Sequence, residues 1–245
     1  MKYIENILVF IFLYIPPLIF FLSSSIKRGI NKFLLIIVSI AYLLLSISTQ
    51  NLLPFIIVIL SIRYLRKNAN SEIYESRYVN VEIHDYYRFN FDIRKFRIFV
   101  ALKYAIETYG VTILLGIVTT IIMNYFNFSL QEQEIVTDLM KVPINKFLYM
   151  IPIMIIFAPV VEEFTFRWLL FEKLFKPKIG IYFSAILSSL IFSMVHFNLR
   201  SMPVMIIIGL INCYLIEKKG YWYAVFNHCF FNGINTLLML MQKIS

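Results

Sequence analysis

The chain alternates long apolar runs with short polar breaks. Candidate spans fall at 4–25, 33–49, 52–66, 104–125, 147–171, 179–198, 202–217 and 221–241. A transmembrane helix needs about 20 apolar residues. The second and third runs are separated only by the polar Thr49-Gln50-Asn51, and the seventh is short. One stretch, 78–97, breaks the helical pattern. Val79, Val81, Ile83, Tyr87, Phe89, Phe91 and Ile93 share one parity with mostly polar residues between them, which is strand-like alternation. Its aromatic and basic content suits a bilayer interface. The expectation there is an interfacial loop, with a peptide-docking surface as the alternative.

Composition turns the pattern into a class. The 245 residues are 60% hydrophobic and 15% charged, with mean hydropathy +0.77, whereas soluble domains carry about 25% charged residues. The fold class expected is all-α, a polytopic transmembrane helix bundle of about eight spans forming one membrane domain. Within it, residues 1–103 hold the amino-terminal spans and a basic interfacial segment, and 104–245 the helical core that carries the chemistry. The first run contains Pro16-Pro17, ends in Ser23-Ser24-Ser25-Ile26-Lys27-Arg28 and lacks an A-x-A cleavage site, so it reads as a retained span.

Net charge is +9, and its placement argues against nucleic acid as a partner. Basic residues crowd into 26–32, 63–103, 172–178 and 217–220, while the alternate loops carry only Lys141, Lys146 and Arg200. That alternation matches the positive-inside rule for eight spans with both termini outside. A multi-pass protein of a bacterial plasma membrane is expected, and richness in Ile, Phe, Lys, Asn and Tyr suits an AT-rich genome. Cys213 and Cys229 both lie in apolar runs and suggest no disulfide framework. Cys229 adjoins His228, so the two point to different helix faces, and a buried apolar thiol is the simpler reading. His84 has no partner in its local sequence.

Candidate chemistry begins where charge intrudes on a span. Glu162-Glu163-Phe164-Thr165-Phe166-Arg167 follows an unbroken apolar run, although an ionisable group at bilayer depth costs about 2.5–3.5 kcal/mol. On a helix Glu163 and Arg167 stand at i, i+4 and can pair. Glu162 lies about 100° around the axis, free to face a cavity. His196 ends the next span, four residues after Phe192, and His228 and Asn232 share one face of the last. Each alone could be structural, as an ion pair, an interfacial residue or helix–helix glue. Together they describe a bundle enclosing a carboxylate, two imidazoles and a carboxamide. One difficulty is depth, since straight parallel helices would separate His196 from His228 by about 15 Å at 1.5 Å per residue.

The order EExxxR, FxxxH, HxxxN, carried by Glu162-Glu163-Phe164-Thr165-Phe166-Arg167, Phe192-Ser193-Met194-Val195-His196 and His228-Cys229-Phe230-Phe231-Asn232, resembles the CPBP family of intramembrane proteases. That family includes CAAX prenyl endopeptidases and bacterial proteins linked to bacteriocin immunity or peptide processing. The likeness covers roughly 147–241, includes Tyr221-Trp222, and departs at Trp168, where many relatives place Gly. It implies an intramembrane endopeptidase acting on a membrane-associated peptide or protein. Glu162 with His196 would activate water, His228 and Asn232 would stabilise the oxyanion, and Glu163 and Arg167 would support the geometry. Two versions stay open: a metal-free site needing no cofactor, and a zinc site with Glu162, His196 and His228 as ligands. The non-enzymatic alternative is an immunity or scaffold protein binding a peptide in the same cavity. A transporter is disfavoured, because no inverted repeat is visible.

Overall fold

The computed structural model describes residues 7–46, 48–49, 51–76, 91, 93–128 and 134–244, and every regular element among them is helical. Helix α1 covers Ile7–Lys27, α2 Lys32–Leu45, α3 Leu52–Ser76, α4 Ile98–Tyr125 and the short α5 Glu134–Lys141. Helix α6 runs over 144–175, α7 is Lys176–Met194, α8 Met202–Lys218 and α9 Tyr221–Ile244. The chain folds as a polytopic helix bundle. Four stretches are long and apolar enough to cross a membrane: Ile7–Lys27, Ile98–Tyr125, Ile144–Met194 and Tyr221–Ile244. The third is divided by Gly180, whose φ of 76° and ψ of 173° interrupt the helix in a region that suits glycine. It thus supplies the two runs seen in the sequence. Helix α5 has no counterpart among the expected spans, and most of 78–97 lies outside the described residues.

Prolines set the irregularities of α1 and α6. A proline has no N–H, so it leaves a carbonyl in the preceding turn without its donor. In α1 a π-turn at Phe10–Tyr14 precedes Pro16 and Pro17. Pro17 cannot serve the Leu13 carbonyl in the α register, and that oxygen accepts from the Thr165 hydroxyl of α6 at 3.3 Å. The next carbonyl, of Tyr14, accepts from the Tyr42 hydroxyl of α2 at 2.8 Å. Backbone groups freed inside a membrane bundle must find such donors.

Helix α6 is more disturbed. It proceeds as an α-helix at Ile144–Pro152, a π-turn at Ile153–Phe157, an α-turn at Ala158–Glu162 and a long π-helix at Glu163–Phe175. Short π segments occur frequently at functional sites. This one runs for 13 residues and is clamped on all sides. Ser188 of α7 donates to the Phe166 carbonyl at 2.7 Å, and Tyr221 of α9 donates to that of Val160 at 2.8 Å. Trp168 stacks on Phe164 and meets Phe20 and Phe91 edge-on. At its end Lys176 pairs with Glu172 and with Glu217 of α8.

Helices α7 and α8 approach closely because small residues line the seam. Ser184, Ser188, Ser189 and Ser193 are buried, and a Cβ on Gly209 would stand 2.7 Å from the Ser189 side chain. Close backbone approach of this kind is a usual basis of helix packing in membranes. Helix α4 packs on α8 and α9 through a narrow strip of Ala101, Ala105, Thr108 and Thr112. It leaves Ile106, Leu114, Val118 and Ile122 exposed, as expected of a lipid-facing helix.

Candidate active site

The polar residues singled out in the sequence come from three elements and meet beside one cavity. Glu162, Glu163 and Arg167 stand on α6, His196 lies in the turn two residues beyond α7, and His228 and Asn232 lie on α9. Glu162, His196, His228 and Asn232 all line a cavity of about 1130 Å³. The rest of its wall is largely apolar, including Ile113, Ile117 and Ile121 of α4 and Leu238 and Met239 of α9. The depth difficulty is resolved at Phe192, whose ring meets His196 edge-on at 4.8 Å and His228 at 5.7 Å. The face of the same ring receives the Arg167 guanidinium at 3.9 Å, a cation–π contact. One buried phenyl therefore spaces both imidazoles and holds the arginine.

The two adjacent carboxylates do not diverge as α-helical geometry suggests. Glu163 Oε1 lies 2.7 Å from His228 Nδ1, and Glu162 Oε2 lies 3.6 Å from His228 Nε2. The physical reason is the helix type. Hydrogen bonds at i→i+5 widen the helix, so successive residues turn through a smaller angle and both carboxylates reach one imidazole. Glu163 Oε2 meets Arg167 Nε at 3.3 Å with both side chains fully buried. Glu162 remains the more accessible carboxylate, 14% exposed at the cavity wall.

Asn232 is placed by a proline. In the π-turn the Ala158 N–H bonds the Ile153 carbonyl, so the Met154 carbonyl would next require the N–H of residue 159, which is Pro159. It accepts instead from Asn232 Nδ2 at 3.0 Å. One amide proton of Asn232 is thereby committed and the carboxamide is fixed at the cavity edge. His196 Nδ1 bonds the Phe192 carbonyl at 2.8 Å. A carbonyl only accepts, so His196 carries its proton on Nδ1 and keeps a lone pair on Nε2.

Two residues absent from the motifs complete the cluster. Asn212 of α8 donates to Glu163 Oε1 at 2.9 Å, and Asn227 of α9 donates to Asn212 Oδ1 at 2.7 Å. Both are buried. An asparagine in an apolar run was the one available signal. From the segment expected to be interfacial, buried Phe91 offers its carbonyl to Trp222 Nε1 at 2.7 Å. Among the described residues no group of three His, Cys, Asp or Glu side chains is placed to hold a metal ion.

Two adjacent carboxylates and an arginine on one helix thus share a cavity region with two histidines and an asparagine. Residues 144–234 match the family described as type II CAAX prenyl endopeptidase Rce1-like, which supports the likeness to the CPBP membrane proteases over that segment. A curated relative, "Putative membrane peptidase YdiL" of Bacillus subtilis (strain 168), is 27% identical over 121 residues, which is 49% of this chain and 48% of the relative. The matched part thus spans about half the length of that relative. No solved structure matches the chain.

Proposed function

We propose that the chain is an intramembrane endopeptidase that hydrolyses a peptide bond in a membrane-associated peptide or protein without a metal. The observation that carries this is the His228 imidazole clamped between two carboxylates, with Glu162 on the cavity side at 3.6 Å. That separation exceeds a direct hydrogen bond, and the Glu162 side chain keeps 14% exposure at the cavity wall, where a water can reach it. Water held by Glu162, with the Nε2 lone pair of His196 beside it, loses its proton to Glu162 as its oxygen attacks the scissile carbonyl carbon. The proton then passes to His228 Nε2, where the resulting imidazolium is balanced by Glu162 and Glu163. His228 returns it to the leaving amine as the C–N bond breaks. The second amide proton of Asn232 supports the oxyanion. An apolar wall of Ile113, Ile117, Ile121, Leu238 and Met239 suits apolar substrate side chains better than charged ones.

The test is cleavage of a quenched-fluorescence pool of apolar peptides by the purified chain in liposomes. Single Ala replacements of Glu162, His196 and His228 are each expected to lower the rate by about 10²-fold or more, the usual scale for a positioned acid or base. A chelator is expected to leave the rate unchanged. Full activity in all three variants would remove the enzyme reading and leave a peptide-binding role for the cavity. Chelator loss reversed by zinc would replace the metal-free chemistry.

A further inference from the structure

We propose, resting on the peptidase reading, that Asn212 and Asn227 are positioning residues that fix the proton of His228 on Nδ1 and turn a bare Nε2 toward Glu162 and the cavity. The argument is a direction of donation. Glu163 receives three contacts, from Asn212 Nδ2 at 2.9 Å, His228 Nδ1 at 2.7 Å and Arg167 Nε at 3.3 Å. As the anionic partner of Arg167 it can only accept. Asn212 must therefore turn its NH₂ group, not its carbonyl, toward Glu163, and His228 must donate from Nδ1.

The constraint passes outward from the anion: with its NH₂ group on Glu163, Asn212 turns Oδ1 to Asn227, which must donate to it from Nδ2 at 2.7 Å. The chain Asn227, Asn212, Glu163, His228 thus has a single consistent polarity, running from α9 through α8 and α6 back to α9. Every member is at most 3% exposed, so bulk water does not compete with it. Groups that hydrogen-bond a histidine's second nitrogen commonly set its tautomer and ring orientation. Here that group is an anion held by the Asn212 amide, which Asn227 contacts in turn. The charged and titratable neighbours of Glu163 are Glu162 and Arg167 on its own helix, Cys213 on α8, and Tyr221, His228 and Cys229 on α9.

A simple role as helix glue would need the same hydrogen bonds but no particular proton position, so the test reads the proton. The full chain, with ¹⁵N-labelled histidine, is placed in phosphatidylglycerol/phosphatidylethanolamine liposomes. It has three histidines, which are assigned by replacing His84 and His196 in turn. His228 is expected to show a protonated Nδ1 and a bare Nε2, and the opposite tautomer overturns the proposal. The double replacement Asn212→Leu with Asn227→Leu removes the relay while keeping side-chain volume and leaving no amide orphaned. Its melting temperature is expected to stay close to that of the parent chain. Its two His228 signals are expected to move toward each other as both tautomers become populated. On the apolar peptide pool kcat is expected to fall at least tenfold, with KM within twofold. Unchanged signals and unchanged kcat in the double variant would reduce the pair to glue. The spectroscopic arm needs no substrate, so a chain that cleaves nothing overturns the peptidase reading while the tautomer result stands by itself.

Discussion

Helices α1 and α6 meet the same problem and put its solution to different uses. Each is interrupted by proline next to a π-turn, and each offers a freed carbonyl to a side chain from elsewhere. In α1 the freed acceptor is Leu13 and its donor Thr165, and the neighbouring Tyr14 carbonyl accepts a further bond from Tyr42, so that neighbouring helices are lashed together. In α6 the acceptor is Met154 and the donor Asn232, which fixes a carboxamide at the edge of a cavity. Beyond it the π-helix brings two carboxylates onto one imidazole. The same backbone defect therefore serves packing in one place and the candidate chemistry in the other. The difference lies in what each carbonyl receives: hydroxyls that tie helices together at α1, and at α6 a carboxamide that itself lines the cavity.

The comparison breaks most severely at Arg167. Arg167→Met leaves Glu163 as a buried charge without its ion-pair partner, and losing one member of a buried pair costs about 3–5 kcal/mol. Thermal unfolding in detergent is expected to show a large loss of stability, and a melting point near that of the parent chain would contradict the pairing. Pro159→Ala tests placement. It restores an N–H that can take the Met154 carbonyl and release Asn232. The expected result is a kcat lowered by roughly tenfold with stability unchanged or raised, within the about 10²-fold that a 1 Å misplacement can cost. Thr165→Val is the smallest. It removes the hydroxyl that serves Leu13 and should cost about 1 kcal/mol, the net worth of one hydrogen bond. A fall in kcat without that loss would mean that α1 also shapes the site.

Much of the fold was legible because membrane spans announce themselves in hydropathy. The runs at 104–125, 202–217 and 221–241 reappear in α4, α8 and α9 with small shifts at their ends. The Glu163–Arg167 pair was legible because i, i+4 neighbours stay close in either helix type. The rest was hidden for identifiable reasons. A π-turn is a choice of hydrogen-bond register, and no residue pattern states it. The meeting of His196 and His228 depends on a turn after α7 and on the Phe192 ring, neither of which helix arithmetic supplies. Asn212 and Asn227 carry no charge and match no motif, so only their partners reveal them. The strand-like alternation of 78–97 lies mostly outside the described residues.

The central claim is that Glu162, the cavity-side carboxylate of the pair, is the base that activates water. The most direct measurement is the single-turnover cleavage rate of Glu162→Gln against the parent chain in liposomes, with melting temperature and peptide affinity followed together. A drop of about 10²-fold or more, with melting and affinity unchanged, is the expected result. A Gln variant that cleaves at the parent rate would contradict it.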